Sequence, residues 1–179
     1  MRVLIDACVL YPTVMREVVL GVAEAGLFEP RWSNRILEER APAAGKIGPG
    51  GETIARGEIA SITARFPRAR VQVPQGLEAR LWLPDPNDIH VLAAAVGCSA
   101  DAILTVNAKD FPRDLLAEEG LQRVDPDGFL MSLYESDPET VRDAAQEVLD
   151  EAQRLSGEPW EMRKLMRKAR LPRLGKLLG

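Results

Sequence analysis

Val3-Leu4-Ile5-Asp6 is a short apolar run that stops at a carboxylate. Its apolar residues do not alternate with polar ones, and two of the three are β-branched. That reads as a strand buried on both faces, as in a parallel sheet. In open parallel sheets ligands bind outside the carboxyl ends of the strands. Asp6 therefore stands where function gathers. The simpler alternative is that it caps the turn that follows.

Working outward, Val14, Met15, Val18, Val19 and Val22 recur at helical spacing over 12–25, opened by Pro12 and Thr13 and stopped by Gly26. Phe28 to Trp32 is extended, and Ser33 is a good cap for a helix over 34–43. Gly45, Gly48, Pro49, Gly50 and Gly51 make a loop. Ile54, Ile59, Ile62 and Phe66 mark one face of the next helix, and Val71 to Val73 a candidate strand. A helix after Pro84 carries Ile89, Leu92, Ala93 and Val96. Ala102 to Val106 is a second clear buried strand and Leu121 to Val124 a weaker one. Strands separated by helices in this rhythm predict an open α/β sheet. From Asp137 onward only helices are predicted, over about 138–155 and again from Pro159 to before Pro172. The expected organisation is a sheet domain over 1–134 and a small helical extension over 135–179 with a basic tail.

The chain has 179 residues and a net charge of −4, so it is not as a whole a magnet for polyanions. It has two cysteines, Cys8 and Cys98, each in an apolar stretch, which suits buried free thiols better than a secreted disulfide framework. His90 is the one histidine and no CxxC occurs, which argues against zinc and against a Ser-His-Asp centre. His90 itself is expected on a helix surface. No phosphate-binding GxxxxGK[ST] loop is present. No signal peptide and no membrane-length apolar run is seen, so a soluble, cytoplasmic protein is the expectation.

Acidic and amide groups recur near the strand ends. Asn107 and Asp110 follow the second buried strand in Thr105-Val106-Asn107-Ala108-Lys109-Asp110. In Asp85-Pro86-Asn87-Asp88, Asp85 has the position of a helix cap, as do Asp125 and Asp137 before their prolines. Asp88, three residues on, is the better candidate for chemistry. Glu38 and Glu39 both lie away from the Ile36/Leu37 direction, periodicity does not choose between them, and a solvated helix face accounts for either. Carboxylates that gather repel one another, and a hard divalent cation such as Mg²⁺ or Mn²⁺ relieves that repulsion. Such an ion can polarise a phosphoryl oxygen and activate water, which is what phosphodiester hydrolysis requires.

Four stretches together resemble the PIN-domain family, and in particular its VapC-type ribonuclease toxins. They are Val3-Leu4-Ile5-Asp6; Ser33-Asn34-Arg35-Ile36-Leu37-Glu38-Glu39; Asp85-Pro86-Asn87-Asp88 with Val91-Leu92-Ala93-Ala94-Ala95; and Thr105-Val106-Asn107-Ala108-Lys109-Asp110-Phe111-Pro112. Their order and separation match the family over residues 1 to about 134. The resemblance implies a Rossmann-like parallel sheet with Mg²⁺ or Mn²⁺ at its carboxyl edge. It places Asp6, Glu39 and Asp88 as metal-holding acids, choosing Glu39 because the family's acid stands six residues after the serine. Asp110 joins the catalytic set, Thr105 and Asn107 position metal-bound water or phosphate, and Asp85 supports the site as the cap of its turn. Where the family often has another acid, this chain has Asn107. The implied activity is metal-assisted RNA hydrolysis, and the implied partners are a cognate antitoxin and, as is common in the family, a second copy in a homodimer.

Arg65, Arg68 and Arg70 form one basic cluster, and Arg163, Lys164, Arg167 and Lys168 lie in a tail with no acid after Glu161. They are candidate RNA contacts. Alternatively the tail is a solvated helix face whose Trp160, Leu165, Met166 and Ala169 pack inward. Two other functions compete. An aspartyl phosphatase usually wants a second Asp two residues after the first, where Cys8 stands. A degenerate PIN domain would bind RNA or protein without cutting, and Asn107 is the residue that favours it.

Overall fold

The central strand is the Val3-Leu4-Ile5 run, and all three residues are wholly buried, as are Ala102, Ile103 and Leu104 beside them. In the computed structural model, which describes residues 1–39 and 50–179, these runs are β1 (Arg2–Ile5) and β4 (Ala102–Leu104). Between them come α1 (Ala7–Leu10), α2 (Thr13–Glu24), β2 (Glu29–Ser33), α3 (Asn34–Glu38), α4 (Gly51–Arg65), β3 (Arg70–Val71), α5 (Leu77–Arg80), and a 3₁₀ turn (Pro86–Asp88) that runs into α6 (Ile89–Gly97). After β4 follow α7 (Arg113–Glu118), β5 (Gln122–Val124), α8 (Pro126–Ser136), α9 (Pro138–Ser156), α10 (Met162–Lys168) and α11 (Pro172–Leu178).

The strand order is β3-β2-β1-β4-β5, in one parallel sheet flanked by helices. This is the α/β architecture that the sequence predicts. The chain steps outward from β1 to β3, then returns to the other side of β1 for β4. The order therefore reverses between β1 and β4, and open sheets bind ligands at such a switch point. The β1–β4 register pairs Val3 with Ala102, Leu4 with Ile103 and Ile5 with Leu104. One step further, Asp6 and Thr105 leave the sheet side by side. On the other flank Leu4 pairs with Arg31, so β2 ends in Ser33 at the level of Asp6.

By contacts the chain forms two compact units, one of Met1–Tyr11 with Glu29–Arg123 and the other of Pro12–Phe28 with Val124–Gly179. These units follow packing, whereas a division at residue 134 follows composition. The first unit holds the sheet, with Trp32, Ile36, Leu37, Leu92, Phe111 and Leu116 buried in its core. The second is helical. A Cβ on Gly21 of α2 would stand 3.1 Å from the Cβ of Ala144 on α9, so the glycine permits that close approach. Phe28 and Phe129 meet edge to face at 5.1 Å. Asp127 of α8 is buried and accepts from the Arg173 and Leu174 backbone N–H groups and from Arg173 Nε. One carboxylate thus satisfies free donors at the start of α11.

Local capping chemistry is as read from the sequence. Ser33 accepts from the Ile36 N–H, and the three Asp-Pro pairs cap their helices through Asp85, Asp125 and Asp137. Gly157 ends α9 with a φ of 69°. Other expectations change. Ile54 is 66% exposed, and α4 buries Ala55 beside the expected Ile62. Gly51 opens that helix rather than a loop. Strand β3 has two residues and ends before Gln72. Both cysteines are free as expected, but each is partly exposed. The predicted helix residues 40–43, and Gly45, Gly48 and Pro49 of the predicted loop, lie outside the described residues. Among the described residues no helix is long and apolar enough to cross a membrane.

Candidate active site

Asp6 sits at the N-cap position of α1, yet its side chain makes no capping bond. Its backbone carbonyl accepts from Val9 and Leu10, while the carboxylate turns to β4. Thr105 Oγ1 donates to Asp6 Oδ2 at 2.7 Å, and Cys8 Sγ donates to the same oxygen at 2.9 Å. Asp6 is only 6% exposed. A buried carboxylate pinned through one oxygen keeps the other available, so the turn-capping alternative does not describe this residue. Thr105 in turn accepts from the Asn107 N–H at 3.0 Å. Burial first, then the charge of Asp6, pushes the Cys8 thiol up to about 12, so it stays protonated and remains a donor.

The second acidic source is the 3₁₀ turn. Asp85 Oδ1 accepts from the backbone N–H and the side-chain amide of Asn87, both at 2.9 Å, and this cap fixes the turn that carries Asp88. The third is the loop after β4. Wholly buried Phe111 anchors it, and Arg123 of β5 donates to the carbonyls of Ala108 and Phe111 at 2.7 and 2.9 Å. From this loop Asn107 Nδ2 donates to Asp110 Oδ2 at 2.9 Å and to Asp88 Oδ2 at 3.3 Å. The amide orientation follows from charge, because the reverse would set its carbonyl against two carboxylates. Asn107 Oδ1 instead faces the Asp110 N–H at 3.4 Å.

Asp85, Asp88 and Asp110 come together, with one carboxylate oxygen of each within 4.8 Å of the others. Asp6 and Glu39 are outside that trio, but their charges reach it. The Asp88 carboxyl is pushed up to about 6, first by burial and then by the negative charges of Asp6, Asp85, Asp110 and Glu39. An uncompensated anion cluster of oxygen donors fits a hard divalent cation, Mg²⁺ or Mn²⁺, better than a soft one.

Glu38 and Glu39 are separated by their partners. Arg56 of α4 donates to Glu38 Oε2 at 3.2 Å and draws that side chain outward. Glu39 Oε1 lies 2.7 Å from His90 Nε2. The approach is close but off the N–H direction, so it is a polar contact rather than an aligned hydrogen bond. His90 is buried, contrary to the surface placement expected of it, because α6 is apolar on every side and has no solvent face there.

The basic candidates fall in different units. In the first, Arg68 and Arg70 are exposed, and the Arg65 guanidinium lies 5.6 Å from the Phe66 ring centre. In the second, Lys164 pairs with Glu161 at 2.9 Å and Lys168 stands over the Trp160 ring at 4.8 Å. Arg163 and Arg167 are exposed, while Leu165, Met166 and Ala169 pack inward. Three features escaped the sequence reading. Cys8 is a donor to Asp6, His90 is a neighbour of Glu39, and Trp82 is 64% exposed between buried Leu81 and Leu83. The Leu-Trp-Leu alternation just before Asp85 is a signal that was there to be read.

A family model for the PIN domain matches residues 2–109. The match spans more than half of the chain and includes Asp6, Glu39, Asp85, Asp88, Thr105 and Asn107, so the chain belongs to the PIN-domain family. No curated protein and no solved structure matches it.

Proposed function

We propose that this protein is a Mg²⁺- or Mn²⁺-dependent endoribonuclease acting as the toxin of a type II toxin–antitoxin pair, VapC-like and cytoplasmic. The observation that carries the nuclease reading is the Asp85–Asp88–Asp110 trio beyond the sheet's carboxyl edge, with Asp88 held up to about 6 by burial and then by its acidic neighbours. By the family resemblance Asp6, Asp88 and Glu39 would hold the cation, and Asp85 and Asp110 lie close enough to Asp88 to share in it. When bound, it neutralises these charges and the phosphate's, and lowers the cost of ionising water. Thr105 and Cys8 hold Asp6 in one orientation, and Asn107 and Asp85 align Asp110 and Asp88. An acid of this group accepts the proton of the attacking water.

The substrate is RNA with an unpaired stretch. Trp82 leads into the acidic turn with its indole in solvent, and a base can stack there. Arg65, Arg68 and Arg70, and Arg163, Lys164, Arg167 and Lys168, meet phosphates. In this reading residues 1–134 are the nuclease domain and 135–179 a helical extension. A cognate antitoxin blocks the acidic cleft, and a homodimer is the working form. Cleavage of a single-stranded RNA with Mn²⁺, with and without chelator, in wild type and Asp6→Asn, tests the activity. Loss in both the chelated and the substituted samples is expected.

One observation favours a second reading. Asn107 donates to both Asp88 and Asp110 and brings no charge of its own, as a degenerate member that binds RNA but does not cut would allow. RNA binding with no cleavage at any Mn²⁺ concentration would select it.

A further inference from the structure

His90 is the second residue of α6, two positions after Asp88, and is 2% exposed. Neither ring nitrogen has an aligned hydrogen-bond partner among the described residues. Burying a polar ring on those terms is costly, and leucine or methionine would fill similar space without that cost. Glu39 Oε1 lies 2.7 Å from Nε2. Glu39 follows the last turn of α3, with its side chain 42% exposed. A glutamate in that position samples many rotamers, and its carboxylate is then poorly placed for a cation. Its neighbour Glu38 is held elsewhere by Arg56.

We propose that His90 is a positioning residue that holds the Glu39 carboxylate in the acidic site. The inference rests on the nuclease reading above and assigns a role that the acids alone do not supply. His90 takes Oε1 and thereby settles the side-chain torsions of Glu39. Oε2 receives no hydrogen bond from the described residues and stays available to a cation or to water. Asp88 stands at the N-cap of α6 and His90 lies in its first turn, so one rigid element presents the first acid and places the second. This also explains on physical grounds why the site uses Glu39 and not Glu38.

The test is a cycle of His90→Leu, His90→Gln, Glu39→Gln and the His90→Leu/Glu39→Gln pair in the full chain. Mn²⁺ binding is read by calorimetry or paramagnetic resonance, beside cleavage and metal-free urea unfolding. Outer partners of metal-holding groups are worth 10–100-fold, so His90→Leu is expected to weaken Mn²⁺ binding about tenfold and to lower kcat more than it changes KM. His90→Gln, which keeps a donor at similar reach, should bind Mn²⁺ within about threefold of wild type, and the pair should bind no worse than Glu39→Gln alone. If His90→Leu does not fold, His90→Asn, whose amide stops short of Glu39, takes its place with the same expectation. Wild-type Mn²⁺ affinity in His90→Leu, or an equal further loss in the Glu39→Gln background, would overturn the positioning role and leave the nuclease reading standing. Absence of Mn²⁺ binding by the wild type would overturn that reading and this one with it.

Discussion

Replacing Asp88 by asparagine should stabilise the metal-free protein while removing its activity. The Asp88 carboxyl is pushed from the ordinary 3.8 up to about 6 by burial and by Asp6, Asp85, Asp110 and Glu39. A shift of about two units corresponds to about 3 kcal/mol at most. Asp88 is half-buried, so solvent screening reduces this to about 1–2 kcal/mol. The sign follows from linkage. A carboxyl raised in the folded state binds its proton more tightly there than in the unfolded chain. Its favourable contribution is complete below the unfolded value and is lost as pH rises through about 6. Near pH 8 in chelator, Asp88→Asn should therefore be more stable than wild type by about 1–2 kcal/mol, roughly 2–8 °C in melting temperature. Near pH 4 the two should coincide, because asparagine resembles the protonated acid. Saturating Mn²⁺ should reverse the order, since an ion at a hundred times its Kd adds about 2.7 kcal/mol to a protein that binds it. Urea and thermal unfolding across pH, with and without Mn²⁺, measure all of this. A destabilised Asp88→Asn near pH 8 in chelator, or a difference that does not vary with pH, would refute the reasoning.

Four further outcomes are expected. Asp6→Asn abolishes cleavage and leaves far-UV circular dichroism unchanged; undiminished metal-dependent activity would remove Asp6 from the site. Thr105→Val strips the buried Asp6 carboxylate of one donor, so stability should fall by about 1–2 kcal/mol and cleavage with it, whereas Thr105→Ser should retain both. Trp82→Ala should weaken RNA binding about 5–150-fold with unchanged melting temperature, since a stacked base is worth about 1–3 kcal/mol. Replacing exposed Arg163 and Arg167 together by glutamine should reduce the salt slope of single-stranded RNA binding by about 1.4, and an unchanged slope would leave that helix as a packing element.

How much of this could be read in advance depends on how local the cause is. The caps at Ser33, Asp85, Asp125 and Asp137 act within three residues of themselves, so the sequence displays them. The buried runs of β1 and β4 declare a parallel sheet by composition alone. Helices α1, α5 and α7 have four to six residues, too short to hold themselves in water, and tertiary contacts that no pattern reveals keep them in place. Asp6 needed the β1–β4 register before a cap could be told from a site residue, since only that register sets Thr105 beside it. Glu38 and Glu39 are equivalent by periodicity and separate only through Arg56 and His90, from other parts of the chain. His90 was misplaced because an apolar helix has no polar face to reveal which way a lone polar residue turns.

The central claim is that the acids around Asp88 hold a divalent cation for RNA cleavage. Cleavage of a labelled single-stranded RNA by wild type and Asp88→Asn, in Mn²⁺ and in chelator, tests it most directly. The account predicts cutting by the wild type in Mn²⁺ alone. Cutting by the wild type in chelator, or by Asp88→Asn at the wild-type rate, would contradict it.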